Sequence, residues 1–364
     1  MEQAFAERLR RIRAILRARA MDAFLITSPE NRRYLSGFKA EDAAINESSG
    51  ALLITAKEAI VLTDGRYEVQ AGQECQGWRL FIYRKGLKEA VKRLTEEAGV
   101  KKLAYEPEYL TCAGLEAIKK ACPRLDIAPL SGRIETMRAI KSQEEIMHIK
   151  AAITAAEIVF KEVSSAIHPG MTEKEVAWRI VEGLSMRAEG PSFPPIVASG
   201  PNSALPHAVP TERPIAEGEP VIIDMGAKLN GYSSDMTRTI FIGEPMPPFK
   251  EIYNTVRAAQ IAAQNAISAG MAARTVDRIA RDIIKTAGFG PMFNHSLGHG
   301  VGLAVHEAPA LSPRNRKTLR QGMVATIEPG IYLPGQGGVR LENMVYIGEK
   351  GGLMLSTEEG FYDF

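Results

Sequence analysis

Gly218–Gly226 reads GEPVIIDMG, and Gly322–Gly330 reads GMVATIEPG. Each is an apolar run of strand type ending in a carboxylate two residues before a glycine, Asp224 in one and Glu328 in the other. Two more correspondences run beside this one. Ala166-Ile167 with Gly170-Met171 recurs as Ala266-Ile267 with Gly270-Met271, and His207-Ala208-Val209-Pro210 recurs as His306-Glu307-Ala308-Pro309. The offsets are 104, 100 and 99 residues, in the same order. Such self-similarity means that this half of the chain is written twice.

The repeat aligns chemistry as well as scaffold. A second carboxylate follows each of the first pair: Asp235 comes eleven residues after Asp224, and Glu342 fourteen after Glu328. Pseudo-two-fold closure of the halves brings all four together near the axis. Like charges that close raise one another's pKa strongly. Two divalent cations relieve this, four positive charges opposing four negative. A carboxylate closing a buried strand needs such a partner. Two metals about 3.5 Å apart acidify a shared water and hold substrate oxygens on both sides of an attack. Oxygen-rich sites with an imidazole suit manganese, cobalt, zinc or iron. The expected ligands are Asp224, Asp235, Glu328, Glu342 and one histidine.

Asn294–Pro309, NHSLGHGVGLAVHEAP, holds three of the six histidines, His295, His299 and His306, with Gly298, Gly300 and Gly302 between them. Glycine permits close backbone approach, and histidine is the commonest metal ligand and acid/base near neutral pH. Spacing excludes two familiar motifs. His306-Glu307 is followed by Ala308-Pro309, so HExxH fails, and Leu303 stands where GxGxxG needs glycine. His148, on a helix, and His168, in a His-Pro-Gly turn, are read as structural or solvent-facing.

A length of 364 residues suits two domains. Hydrophobic content of 45% and charged content of 24% are those of a globular protein. A net charge of +2 gives no reason to expect nucleic acid or an anionic membrane as partner. Cys75, Cys112 and Cys122 have no metal-ligand spacing and read as reduced thiols of a cytoplasmic protein. No apolar run approaches the roughly 18 residues of a membrane span. The Arg-rich N-terminal segment, with Phe5, Leu9, Ile12 and Leu16 at helical spacing, reads as a surface helix, since Glu2 and Glu7 argue against a transit peptide.

Residues 1–131 read as an α/β domain. Strands are expected at Ala23–Thr27, Ala51–Thr55, Ala59–Thr63, Trp78–Tyr83 and Leu103–Tyr105, with a helix over Gly86–Ala98 and a turn at Asp64–Tyr67. Pro129–Gly132 marks the boundary with the second domain, 132–364. Ser142 with Glu145 and Thr172 with Glu175 form capping boxes that start two of its helices.

Taken together, Asp224-Met225-Gly226, Tyr232–Thr239, Gly298–Leu303, His306-Glu307, Glu328-Pro329-Gly330 and Arg340-Leu341-Glu342 resemble the pita-bread metallopeptidases, and among them the Xaa-Pro group, aminopeptidase P and prolidase. Asn31–Phe38, NRRYLSGF, is similar to the creatinase-type N-terminal domain. The resemblance implies an α/β (α+β) chain: a creatinase-like domain, then a pita-bread catalytic domain with a pseudo-two-fold repeat. It implies metal ligands Asp224, Asp235, His299, Glu328 and Glu342, with Asp235 and Glu342 bridging two ions, manganese ranking first. Glu328 is implied as proton relay, His207 and His306 as groups flanking the scissile carbonyl, and His295 and Arg340 as substrate contacts. The partners implied are proline-containing peptides and a second copy of the chain, whose N-terminal domain caps the cleft.

One position departs from the pattern. Several prolidases carry a basic residue where Ala310 stands, which a strict dipeptidase needs for the proline carboxylate; Arg314 or Arg316 is the substitute within reach in sequence. The expected activity is therefore an Xaa-Pro aminopeptidase, with an Xaa-Pro dipeptidase as the alternative. Methionine aminopeptidase ranks lower, because those enzymes generally lack the arginine at Arg340. A creatinase-like amidinohydrolase lacks this ligand set, and a non-catalytic binding module would have lost ligands.

Overall fold

The computed structural model describes residues 2–42, 44 and 47–364, with side chains from Ala4 onward. The chain divides into two compact units, Met1–Met137 and Arg138–Phe364. Among the described residues no helix is long and apolar enough to cross a membrane.

The first unit is built on a six-stranded sheet in the order Arg79–Ile82, Ala59–Thr63, Ala51–Thr55, Ala23–Ile26, Lys102–Tyr105, Asp126–Pro129. Both hairpin-type pairings of Ala51–Thr55 are antiparallel; the other three pairings are parallel. The expected strands are present, as is the helix, over Leu87–Glu97. Asp126–Pro129 was not foreseen: its burial does not alternate at the sheet edge, and it carries only two apolar side chains besides its proline. Asp64–Tyr67 is a turn in which Arg66 bonds back to Asp64.

The Asn31–Phe38 motif has a structural explanation within this unit. Ser28 caps the helix Pro29–Ser36, accepting from the Asn31 N–H, and Pro29 fits the first helical position. The wholly buried Arg32 then points away from the helix and donates to the carbonyls of Ala40 (3.0 Å) and Gly50 (2.6 Å), to Asp42 (2.8 Å) and to Ser49 Oγ (2.7 Å). A guanidinium can satisfy that many acceptors at once because its five donors fan out in a plane. It thus staples the connection between the helix and the next strand.

The second unit shows the duplication. A helix pair, Gln143–Ser165 and Glu173–Arg187, precedes the antiparallel strands Ile196–Ser199, Pro220–Met225 and Met236–Phe241. A second pair, Phe249–Ala266 and Ala273–Thr286, precedes a five-stranded antiparallel sheet in the order Glu307–Leu311, Gly298–Gly300, Val324–Ile327, Asn343–Ile347, Gly352–Met354. Both expected capping boxes are formed. His148 stacks on Tyr232 with ring centroids 5.4 Å apart, and His168 Nδ1 lies 3.0 Å from the neighbouring Pro169 carbonyl.

Strand alternation determines what each half offers the centre. Val221, Ile223 and Met225 pack into one apolar core with Val159 and Ile180 of the first helix pair. Ala325 and Ile327 pack into the other with Val256 and Val276 of the second pair. Successive side chains on a strand face opposite sides. Asp224 and Glu328 therefore face away from the helices, towards the other half. Each helix layer thus fixes the direction of a carboxylate.

Replacing Arg32 by Ala leaves four acceptors of its staple without their donor. We expect a loss of about 3 kcal/mol, read as a lower denaturant midpoint, with faster proteolytic cutting between residues 38 and 50. An unchanged midpoint would show that Arg32 does not hold this connection.

Candidate metal centre

Asp235, His299 and Glu342 bring ligand atoms within 4.8 Å of one another. Asp235 directly precedes the strand Met236–Phe241, and Glu342 directly precedes Asn343–Ile347. The two segments are tied across the repeat axis by the Glu342 N–H donating to the Thr237 carbonyl at 3.0 Å. His299 is central in the short strand Gly298–Gly300, where a Cβ on Gly298 would collide with the Thr326 carbonyl oxygen. That glycine lets the imidazole strand lie flush against Val324–Ile327.

The ring of His299 is oriented for ligation. Nδ1 lies 3.1 Å from the Gly300 carbonyl and must carry the proton, since a carbonyl only accepts. Nε2 then presents a lone pair towards Asp235 Oδ2 at 3.5 Å and Glu328 Oε1 at 3.3 Å. Burial, helped by His306, pushes the His299 pKa down to about 4, so the ring is neutral. A bare lone pair facing two carboxylate oxygens is repulsive unless a proton or cation sits between them. Fixing the tautomer through the other nitrogen is how metal-binding histidines are held.

Asp224 and Glu328 complete the constellation differently. Glu328 adjoins His299 and accepts from Thr326 Oγ1 at 3.1 Å. Asp224 lies outside the tight three-residue group because Arg340 holds its Oδ2 at 2.7 Å. Its Oδ1 is buried without a hydrogen-bond partner, and so is Glu342 Oε1. Orphaned buried acceptors of this kind mark where an unseen cation belongs. Burial, with the neighbouring carboxylates adding to it, raises the pKa of Asp235 and of Glu342. Burial pushes Glu328 up to about 8, against the opposing pull of Arg340. The donor set of four carboxylates and one neutral imidazole fits divalent metal ions.

The pocket above this cluster is a cavity of about 600 Å³. All the site residues anticipated from sequence border it: Asp224, Asp235, His299, Glu328, Glu342, His207, His306, His295 and Arg340. His306 lies beside His299, ring centroids 4.2 Å apart, and burial with His207 nearby lowers its pKa. Phe193, Pro194, Pro195, Val209, Val305 and Ala310 form an apolar rim.

Two residues expected to touch substrate border the pocket and are also hydrogen-bonded within the protein. His295 Nδ1 faces the Ser296 carbonyl at 2.8 Å, so its Nε2 accepts from the Tyr332 hydroxyl at 3.0 Å. Burial brings its pKa down to about 4, and both nitrogens are used; what it presents to the pocket is ring surface. Arg340 is buried and donates to Asp224, to Tyr332 Oη (2.9 Å), to the Pro206 carbonyl (3.1 Å) and to Thr237 Oγ1 (3.3 Å). Its guanidinium orients the Asp224 carboxylate.

Sequence reading missed Thr237, Thr326 and Tyr332. Thr237 Oγ1 donates to Glu342 Oε2 at 2.7 Å, and Thr326 both orients Glu328 and accepts from the His299 N–H at 3.0 Å. A signal for the threonines existed: each lies two residues from an acid on strand-type sequence, hence on the same face. Tyr332 had none, because its contacts come from a hairpin that only the fold brings inward.

Buried acids converging with a neutral imidazole under an apolar pocket, on a duplicated frame of helix pairs and sheets, define a metal-dependent hydrolase of the pita-bread type. Comparison with known proteins agrees. The model for metallopeptidase family M24 matches residues 147–349, and the creatinase/prolidase N-terminal domain matches residues 8–140. The chain belongs to metallopeptidase family M24, and is thereby a peptidase of its Xaa-Pro dipeptidase/aminopeptidase group. It is 38% identical to an Xaa-Pro dipeptidase of Pyrococcus horikoshii over 97% of both chains. An Xaa-Pro dipeptidase structure from Bacillus anthracis matches with TM-score 0.92 and 38% identity, over 98% of each chain. An X-Pro aminopeptidase structure from Thermotoga maritima matches with TM-score 0.85 and 36% identity, over 93% of this chain and 96% of that one.

The acids make a testable statement about pH. Asp235, Glu328 and Glu342 have folded pKa values above their unfolded ones. Without metal, the folded state therefore binds more protons, and its stability falls as pH rises from about 4.5 towards 8. A divalent cation favours the ionised forms and opposes that loss. The gain in melting temperature on adding Mn over chelated protein should grow across this interval. A gain that stays flat or shrinks would mean these carboxylates are not the ligands.

Proposed function

We propose that the chain is an Xaa-Pro aminopeptidase that removes an N-terminal residue preceding proline and accepts peptides longer than two residues. The observation that carries this reading is the pocket lining. Among the described lining residues the one arginine or lysine is Arg340, and it is committed to Asp224 and Tyr332. Arg314 and Arg316 are exposed and outside the lining. An apolar rim with no available cation suits a chain that continues past proline better than a free carboxylate there. The dipeptidase reading keeps support from relatives of that name, including those of Pyrococcus horikoshii and Bacillus anthracis.

Asp224, Asp235, His299, Glu328 and Glu342 would hold two divalent ions, with manganese our first choice. Bound there, the ions acidify water and polarise the carbonyl of the scissile bond. Glu328, whose pKa burial raises and bound ions would bring back down, would be the carboxylate that takes a proton and passes it on at neutral pH. His306 and His207 border the open side of the cluster, where either can donate to oxygen charge developing on the carbonyl. The leaving nitrogen of proline, like any amide nitrogen, must receive a proton to depart; having no N–H, it offers the site no donor of its own. The apolar rim, with the ring of His295, offers packing for the pyrrolidine. We place this chemistry in a cytoplasmic homodimer; the three cysteines are free thiols.

A panel of Ala-Pro, Ala-Pro-Gly and Met-Ala-Ser tests the reading. We expect turnover of Ala-Pro-Gly above that of Ala-Pro, none of Met-Ala-Ser, loss of all activity on chelation and its return with Mn. Cleavage by chelated protein at the untreated rate would refute metal dependence, and exclusive cleavage of Ala-Pro would make the chain a dipeptidase.

Ala310 lines the rim. Ala310→Arg should therefore raise kcat/KM for Ala-Pro relative to Ala-Pro-Gly by roughly tenfold, the value of one charge-assisted hydrogen bond. An unchanged ratio would mean that Ala310 is not near the site of the free carboxylate.

A further inference from the structure

Glu307 follows His306 in the stretch that failed as HExxH, and the metal centre does not use it. Its side chain is 6% exposed and paired with two cations that are themselves buried, Arg138 Nη2 on Oε2 and Lys141 Nζ on Oε1. Burial alone would raise its pKa; Lys141 and then Arg138 outweigh that and hold it below the usual carboxylate range. Three charges removed from water are costly to assemble and are weak evidence for stability. A geometric function explains their placement better.

The chain from Gly302 to Glu307 wraps around this carboxylate. A Cβ at Gly302 would strike the Glu307 carboxyl group, so only glycine allows the loop to close over it. The Gly302 N–H donates to the Ala304 carbonyl at 3.0 Å, and the Ser233 N–H to the Gly302 carbonyl at 2.8 Å. Glu307 also opens the strand Glu307–Leu311, where it pairs with Gly300, the residue next to His299. Lys141 is fixed independently, its N–H donating to the Gly322 carbonyl at 2.8 Å. The loop carries Val305 and His306 to the pocket, while the carboxylate at its end turns inward to two anchored cations.

We propose that Glu307 is a positioning residue: clamped between Arg138 and Lys141, it holds the 302–306 loop so that the His306 ring stands over the metal centre. This rests on the reading of His306 as a group that acts on substrate. The carboxylate contributes no atom to the reaction. It fixes one histidine by its covalent neighbour, so its loss should be felt through that histidine alone.

A double-mutant cycle between Glu307→Gln and His306→Ala, on the full metal-loaded chain with an Ala-Pro peptide, tests this. Misplacing a reacting group by about 1 Å costs up to roughly 100-fold in rate. We expect Glu307→Gln to lower kcat about 10- to 100-fold with KM changed less than about threefold. In the His306→Ala background the same substitution should cost less than about twofold. Glu307→Gln/Lys141→Met, which keeps the net charge of the cluster, serves if the single variant does not fold. A readout independent of turnover is the imidazole 15N signal of His306 in the chain loaded with diamagnetic Zn, assigned by its disappearance in His306→Ala. It should shift or broaden in the Glu307 variants while the His299 signal stays. Equal losses in both backgrounds, or an unmoved His306 signal, would overturn the proposal. A wild-type chain inactive on every Xaa-Pro peptide, with the signal moving as expected, would instead remove the functional reading and leave the positioning role standing.

Discussion

Four carboxylates are driven into one buried space with a single arginine against them. Asp235 and Glu342 are almost wholly buried, and Glu328 and Asp224 are each less than a fifth exposed. Arg340 compensates one of these charges, through Asp224. The remaining deficit is too large for hydrogen bonds from Thr237 and Thr326 to offset, because a neutral hydroxyl stabilises an anion by far less than burial destabilises it. That excess of negative charge must be relieved by protons, as the raised pKa values express, or by cations, and the fold can be read as the apparatus that maintains it. Each apolar helix layer buries alternate strand residues and so forces the acids between them towards the axis.

The duplication builds this centre, and departures from exact repetition make it selective. Between Asp224 and Asp235 lies the short hairpin Ala227–Leu229 with Tyr232–Ser233. Between Glu328 and Glu342 lies a longer one, Gly330–Leu333 with Gly337–Arg340. The extra residues let the second hairpin reach inward, where Tyr332 and Arg340 join the site. The first sends Tyr232 outward, against His148 and the Glu145 carboxylate. One half thus supplies structural aromatic packing and the other supplies the chain Arg340–Tyr332–His295. That chain fixes the tautomer of His295 and the orientation of Asp224 together.

Most of this organisation was legible in sequence because it depends on local patterns. Strand runs closed by an acid, their recurrence about a hundred residues on, and the histidine stretch between glycines all survive as one-dimensional signals. What was not legible is where a long polar side chain ends. Arg340 reads as a substrate contact, yet its guanidinium spans to Asp224 across 116 residues of chain. Arg32 reads only as part of a family motif, and its staple appears once Ala40, Asp42 and Gly50 are seen around it. The edge strand Asp126–Pro129 lacked the alternation on which strand recognition depends.

The same distinction explains why substrate length is harder to read than metal chemistry. The candidate metal ligands lie on strands or directly beside them, and strand periodicity is encoded residue by residue. The rim is fixed mainly by loops, Phe193–Pro195, Pro206–Pro210 and Val305, with Ala310 on the strand Glu307–Leu311. A loop residue faces the pocket only if something outside the pocket turns it there. For the loop before Glu307 that something is a buried carboxylate between two cations; for the loop bearing His207 it is Glu173. That wholly buried acid accepts from Ser199, Asn202 and Thr211 at the loop's two ends. His306 and His207 therefore each lean on a glutamate that lies outside the pocket lining. Where those two histidines stand is set one layer behind the residues that border the pocket.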